Sequence, residues 1–237
     1  MRRGRGRLDE CECGVRLTLS QLRDAVGMSE DSARLWLAPI NHAGELAQLT
    51  TAARWSMFLA QCAHESAGFT RLVESLNYTP EGLMATWPKR YGAELASQHG
   101  RVGGKAADQK AIANHVYGGR LGNRPGTDDG WSYRGRGLIQ TTGRDNYASC
   151  GRHIGVDLVG NPDLIGNDRR HAAESAVWYW DARHVNDAAD IGDVEGATRV
   201  INGGVHGLAD RKSRYAKALS ALGANAATEL SRILGRT

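Results

Sequence analysis

Two glutamates lie nine positions apart in unlike surroundings. Glu65 closes the apolar stretch Phe58-Leu59-Ala60-Gln61-Cys62-Ala63-His64-Glu65, whereas Glu74 sits among Ser75, Asn77 and Tyr78. Burial disfavours a charged carboxylate and a polar setting supports one, so the pair offers a proton donor and a proton acceptor. Hydrolysis of a glycosidic bond needs such a pair. On one continuous helix nine residues make about 2.5 turns and roughly 13.5 Å of rise, which puts the two side chains on opposite faces. The helix carrying Glu65 must therefore end before Glu74, and Gly68 is a natural stop.

That helix starts at Thr51, a good N-cap, and Trp55, Phe58, Leu59 and Cys62 recur along it at i, i+3, i+4 and i+7 as one buried stripe. Thr18 to Leu37 reads as two short helices broken at Gly27 and restarted by a Ser29 or Asp31 cap. Residues 81 to 96 form another short helical region, and residues 97 to 133 read as a long, polar, glycine-punctuated loop. His171 to Arg183, Val194 to Ile201 and Asp210 to Leu222 complete a mainly α count, with at most one small hairpin near residues 131 to 142.

At 237 residues and 41% apolar composition the chain can bury a sizeable core. It reads as a basic tail over residues 1–16, expected to be flexible, followed by a single domain over residues 17–237 that acts as a monomer. Its longest apolar run, Met57 to Ala60, is far too short for a membrane span, and the arginine-rich start, followed by Asp9, Glu10 and Glu12, is neither a signal peptide nor an anchor. Cys11, Cys13, Cys62 and Cys150 are scattered and read as reduced thiols. The net charge is +4, but residues 84 to 152 hold eleven Lys/Arg against five Asp/Glu. That concentration suits an extended anionic polymer.

Competing chemistries fail on spacing. His64-Glu65 lacks the second histidine of a zinc helix, because Gly68 stands in its place, and no other pair of histidines has helical ligand spacing. No metal and no cofactor is expected. Arg134-Gly135-Arg136-Gly137-Leu138-Ile139-Gln140 has Gln140 where a dinucleotide fingerprint needs its third glycine. Two readings of this segment stand: a turn feeding a buried strand, or a backbone that approaches a sugar while Gln140 and Thr142 alternate toward it. Four arginines in the tail, with no reading helix or stacking platform, do not make a nucleic-acid binder. Trp87, Tyr91, Tyr117, Trp131 and Tyr133 offer planes for sugar rings, and Asn77, Gln140 and Asn202 offer groups for their hydroxyls. Such company favours a carbohydrate hydrolase over a purely structural glutamate pair.

Five ordered motifs carry a resemblance from about Leu17 to Leu222. They are Phe58 to Ser66, Leu76-Asn77-Tyr78, Tyr133 to Gln140, Asn161-Pro162-Asp163-Leu164, and Ile201-Asn202-Gly203-Gly204 followed by Asp210-Arg211. In these the chain resembles glycoside hydrolase family 19, the chitinase-like branch of the lysozyme superfamily, and within it the phage endolysins. The resemblance implies a lysozyme-like helical fold and an inverting mechanism, with Glu65 as general acid and Glu74, just before Leu-Asn-Tyr, as general base. It implies that Thr142 helps to hold the attacking water and that His64, Asn77, Tyr133, Gln140, Asn146, Asn202 and Arg211 line or support the site. An arginine beside a carboxylate favours its charged form, which suits a base better than an acid.

The expected substrate is the glycan strand of bacterial peptidoglycan, cut at β-1,4 bonds between N-acetylhexosamines. Chitin is the same-class alternative and a non-catalytic wall-binding domain the alternative of another class. A leaderless endolysin would collect in the host bacterial cytoplasm and reach the wall through a holin.

Overall fold

A computed structural model describes residues 16–223. Most of the expected tail and the last fourteen residues of the expected domain, with Cys11 and Cys13, lie outside the described residues. Arg16, the last residue of that tail, pairs with Glu45.

The first three helices begin on hydroxyl caps. Thr18 and Gln21 form a reciprocal capping box on α1 (Leu19–Val26), which ends at Gly27 with φ +80°. Ser29 caps α2 (Glu30–Leu46) and Thr51 caps α3 (Ala52–Glu65). The second helix is longer than the sequence suggests. It runs through Pro39 because Ile40, Ala43 and Gly44 are buried beyond it, and this packing outweighs one lost backbone bond. The expected single stripe on α3 is also too narrow: Trp55 to Ala63 are all buried, so the helix is enclosed on every side.

Thr79, with Pro80 at the first helical position, starts α4 (Pro80–Thr86), and α5 (Ala93–His99) follows. The stretch expected to be a long loop contains α6 (Gln109–Tyr117), capped by Asp108, and the short α7 (Asp129–Ser132). Three residues explain that difference. Ile112, Ala113 and Val116 bury themselves against Leu76, Leu83 and Tyr91, forming a second small core that a reading of local pattern does not find.

Then come α8 (Arg144–Ile154), α9 (Leu164–Asn167), α10 (Arg169–Asp181), α11 (Val185–Asp190), α12 (Val194–Asn202) and α13 (Leu208–Ala221). The main core surrounds α3, which packs on α13, α1, α11 and α12, while α10 packs on α2. A third core joins Tyr133, Tyr147, Cys150, Leu158, Ile165 and Trp178.

Extended structure among the described residues is reduced to isolated antiparallel bridges. The small hairpin expected near residues 131 to 142 is the pair Arg136 and Thr141, and Val73 pairs with Arg136 from the other side. Between α3 and Val73 the chain turns through Ala67, Gly68 and Phe69, at φ +50°, +71° and +68°. Two non-glycine residues in the left-handed region cost about 1 to 2 kcal/mol each. Phe69 offsets part of this by burying its ring edge-on against Trp36, 5.1 Å between centroids.

Phe69→Ala is expected to destabilise the protein by about 3 kcal/mol, which lowers the melting temperature by roughly 6 to 12 °C in thermal unfolding. Burial pushes the Cys62 thiol up, with the nearby Glu65 charge adding to it, and burial pushes Cys150 up to about 12. Both thiols are expected to resist iodoacetamide at pH 8 until the protein is denatured, as mass spectrometry of the labelled peptides will show.

Candidate active site

Glu65 is the last residue of α3, where a buried helix reaches the surface and its side chain keeps 18% exposure. Its Oε1 accepts from Nη2 of Arg211, whose side chain is completely buried. The same guanidinium donates through Nη1 to Oε1 of Gln61 and through Nε to the His206 carbonyl at 3.2 Å. Gln61 in turn donates to Thr198 Oγ1 at 3.3 Å. One buried cation therefore gathers α3, α12, α13 and the segment before α13 around Glu65. Tyr179 is close enough for the Glu65 charge to add to the effect of burial, which pushes its phenol up. Its hydroxyl donates to the Ile201 carbonyl at 3.1 Å.

Beside Glu65, Nδ1 of His64 lies 2.7 Å from Oδ2 of Asp210, which also accepts from Arg214 at 2.7 Å. Partial burial opposes the charge on Asp210, but these two donors outweigh it and hold the carboxyl below the usual range. His64 reaches Asp210 by packing over Gly207, where an added Cβ would stand 2.1 Å from the imidazole.

Glu74 is held by different means. Its backbone N–H donates to the Gly135 carbonyl at 2.9 Å, and its Oε1 accepts from the Gly135 N–H at 2.7 Å. Its Oε2 accepts from the Tyr117 hydroxyl at 2.9 Å. Burial, reinforced by the Glu74 charge, pushes the Tyr117 phenol up, so it stays protonated and donates. Each carboxylate oxygen has a second lone pair, so Glu74 can still accept from a water.

Gly135 brings the remaining groups to Glu74. A Cβ at this position would lie 3.1 Å from Gln140 Oε1, 3.3 Å from Thr142 Oγ1 and 3.4 Å from Glu74 Cβ, so a larger residue would press on all three. Thr142 Oγ1 donates to the Gln140 carbonyl at 2.9 Å, and Asn146 Nδ2 donates to the Thr142 carbonyl at 2.7 Å. Gln140 is in the turn between the paired Arg136 and Thr141, with φ +55°, so it does not alternate along a strand. Its side-chain amide donates to the Gly137 carbonyl at 2.9 Å.

Other expected site residues fall elsewhere. Tyr133, expected as a sugar plane, is buried in the third core with its hydroxyl on the Val159 carbonyl at 3.1 Å. A tyrosine can bury its ring whenever its hydroxyl finds a partner. Arg211, expected to favour a base, pairs with Glu65, the expected acid, and supports it from below. Asn77 is exposed beyond Glu74 and accepts from the Ala107 N–H at 3.1 Å. Asn202 is exposed at the end of α12. Tyr117 is legible in sequence only as an aromatic plane, Gln61 and Asp210 only as members of motifs without a role, and nothing local marks Tyr179 as a neighbour of the site.

The family model described as chitinase class I matches residues 44–197. This range includes Glu65, Glu74, Gln140, Thr142 and Asn146 and stops before Asn202 and Arg211. A glycosyl hydrolase family 19 domain-containing protein of Haemophilus influenzae is 42% identical over 163 residues, covering 68% of this chain and 76% of that protein. Chitinase 8 of Oryza sativa subsp. japonica is 39% identical over 92 residues, which is 31% of this chain and 35% of the rice protein. The crystal structure of chitinase C from Streptomyces griseus HUT6037 shares the fold, with a TM-score of 0.59 and 18% identity over 88% of this chain and 77% of that one.

Arg211→Met removes the partner of Glu65 and of the Gln61 carbonyl oxygen. Breaking a fully buried ion pair costs about 3 to 5 kcal/mol, and the exposed edge of Glu65 reduces the expected loss to about 2 to 3 kcal/mol, measured by denaturant unfolding.

Proposed function

The chain belongs to glycoside hydrolase family 19 and is a chitinase-like glycoside hydrolase, and from that premise we propose that Glu65 and Glu74 cut β-1,4 bonds in the glycan strands of bacterial peptidoglycan with inversion. What supports the catalytic assignment is that both carboxylates fall within the matched residues 44–197 and are built into separate supports; the Arg211 guanidinium favours the charged form of Glu65, so the acid role rests on the family resemblance and not on this contact. Glu65 meets a guanidinium on one oxygen, and Glu74 receives a neutral donor on each of its two oxygens.

A guanidinium has only donors, so the Glu65 oxygen facing Arg211 cannot carry the acid proton. In the acid role Glu65 would therefore carry its proton on Oε2 and pass it to the leaving glycosidic oxygen as the bond to the anomeric carbon breaks. A water on the opposite sugar face attacks that carbon. Glu74 takes its proton, while the Thr142 hydroxyl orients it, and exchange with solvent resets both carboxyls. His64 and Arg211 are positioning residues in this scheme, and Gln140, Asn146, Asn77 and Asn202 contact the sugar chain.

Peptidoglycan and chitin share β-1,4-linked N-acetylhexosamines, so the fold does not choose between them. The concentration of eleven cations against five acids in residues 84 to 152 supports the acidic wall polymer over uncharged chitin. The chitinase names of the rice and Streptomyces relatives support the second reading, chitin itself. Mass spectrometry of digested sacculi tests bond and substrate together. Cleaved sugars with intact peptide stems are expected, and release of products from chitin oligomers alone would make the protein a chitinase.

Glu65→Gln is expected to lower turnover on the natural polymer by about 10² to 10⁴. It should lose much less on an aryl glycoside whose phenolate departs without protonation. Glu74→Gln should be impaired on both substrates and regain activity with azide as nucleophile. The opposite pattern would exchange the roles of acid and base.

A further inference from the structure

A pocket of about 590 Å³ beside the second small core is lined by Lys89, Arg90, His115 and Arg120, with no acidic residue among them. Nearby cations are matched: Lys110 pairs with Asp128 and Arg124 with Asp129. Lys89, Arg90 and Arg120 form no salt bridge among the described residues. Three cations around one concavity repel one another unless an anion sits between them.

The pocket is also fixed in shape. His115 Nε2 donates to the Arg90 carbonyl at 2.8 Å, and Arg90 Nη1 donates to the His115 carbonyl at 3.2 Å. This reciprocal pair locks the turn after α4 onto α6 and holds the Arg90 guanidinium in place, with most of its five donors left for a ligand. Tyr91 packs edge-on against His115, 4.9 Å between centroids, and keeps the imidazole from turning. A held guanidinium flanked by two exposed cations offers the donors and charge that an oxyanion needs.

Its position ties it to the catalytic site. Tyr117, which donates to Glu74, closes the same helix that supplies His115. The Arg120 N–H donates to the Tyr117 carbonyl at 3.2 Å, and the Arg120 charge is felt at the phenol.

We propose that the Lys89, Arg90, His115 and Arg120 pocket binds an oxyanion carried by the wall polymer while the glycan backbone lies over Glu65 and Glu74. This inference rests on the peptidoglycan reading. The oxyanion is a carboxylate of the peptide stems or a phosphate of an attached polymer, which present the same chemistry to the pocket.

The test uses Glu65→Gln protein, whose turnover is slow enough to leave the polymer intact during the measurement, and sacculi that carry both acidic peptides and phosphate polymers. Co-sedimentation is measured over a range of salt. Adding Lys89→Ala and Arg120→Ala is expected to weaken binding about 10-fold at low salt and to flatten its salt dependence. Adding Lys89→Arg and Arg120→Lys instead should preserve binding, since charge is retained. Amidating the sacculus carboxylates with a carbodiimide and ammonium should weaken the Glu65→Gln protein equally and leave the alanine variant unaffected. If stripping phosphate with hydrofluoric acid has that effect instead, the pocket stands and its ligand is the phosphate. Equal sedimentation of the two proteins overturns the proposal, as does an equal loss on uncharged chitin beads. Release of reducing ends from sacculi by the unmodified protein is scored separately, so failure of the peptidoglycan reading is distinguishable from failure of the pocket.

Discussion

The arrangement depends on one completely buried cation. The Arg211 guanidinium is taken wholly out of water, and such a group persists only where its donors are met. Glu65, Gln61 and the His206 carbonyl meet them. Because those partners come from α3 and from the segment leading into α13, satisfying the cation fixes where two helices meet. Glu65 is held at the rim of the core by an interaction that costs a great deal to break. A carboxylate held in this way has one oxygen committed to the guanidinium and one that is not.

The second carboxylate is placed without a buried charge. Gly135 grips Glu74 through both backbone and side chain, and Tyr117 adds a phenol from α6. These are short bonds from neutral donors, and they let the residue accept a proton without leaving a cation unmatched. The turn between the two glutamates sets them apart. Two left-handed non-glycine residues, Ala67 and Phe69, end the direction of α3 abruptly, and the Phe69 ring against Trp36 keeps the turn from relaxing. Strain of this kind is tolerated where packing over-determines it.

What could be read in the sequence follows from which forces are local. Thr51, Ser29 and Gly27 act within a few residues of themselves, and the helix boundaries they set are visible in the order of residues. The need for a break between Glu65 and Glu74 is a matter of helix geometry alone. By contrast, α6 owes its place to Leu76, Leu83 and Tyr91, which lie outside it, and its own three apolar residues are too few to announce it in polar surroundings. Tyr133 could equally face sugar or core, since its ring and hydroxyl suit both. Arg211 had two candidate carboxylates 146 and 137 positions away, and no local rule selects between partners at that range. Long-range pairing, more than composition, is where the sequence was silent.

The two carboxylates also belong to different packing units. Glu65 ends a helix of the main core, whereas Glu74 lies between the bridge segment and the second small core, against which Tyr117 packs. The proposed oxyanion pocket at Arg90 and Arg120 adjoins the C-terminal end of α6, whose last residue is Tyr117. On the proposed reading, contacts with a substrate remote from its scissile bond would be spent on orienting Glu74, and a short uncharged oligomer would forgo that contribution.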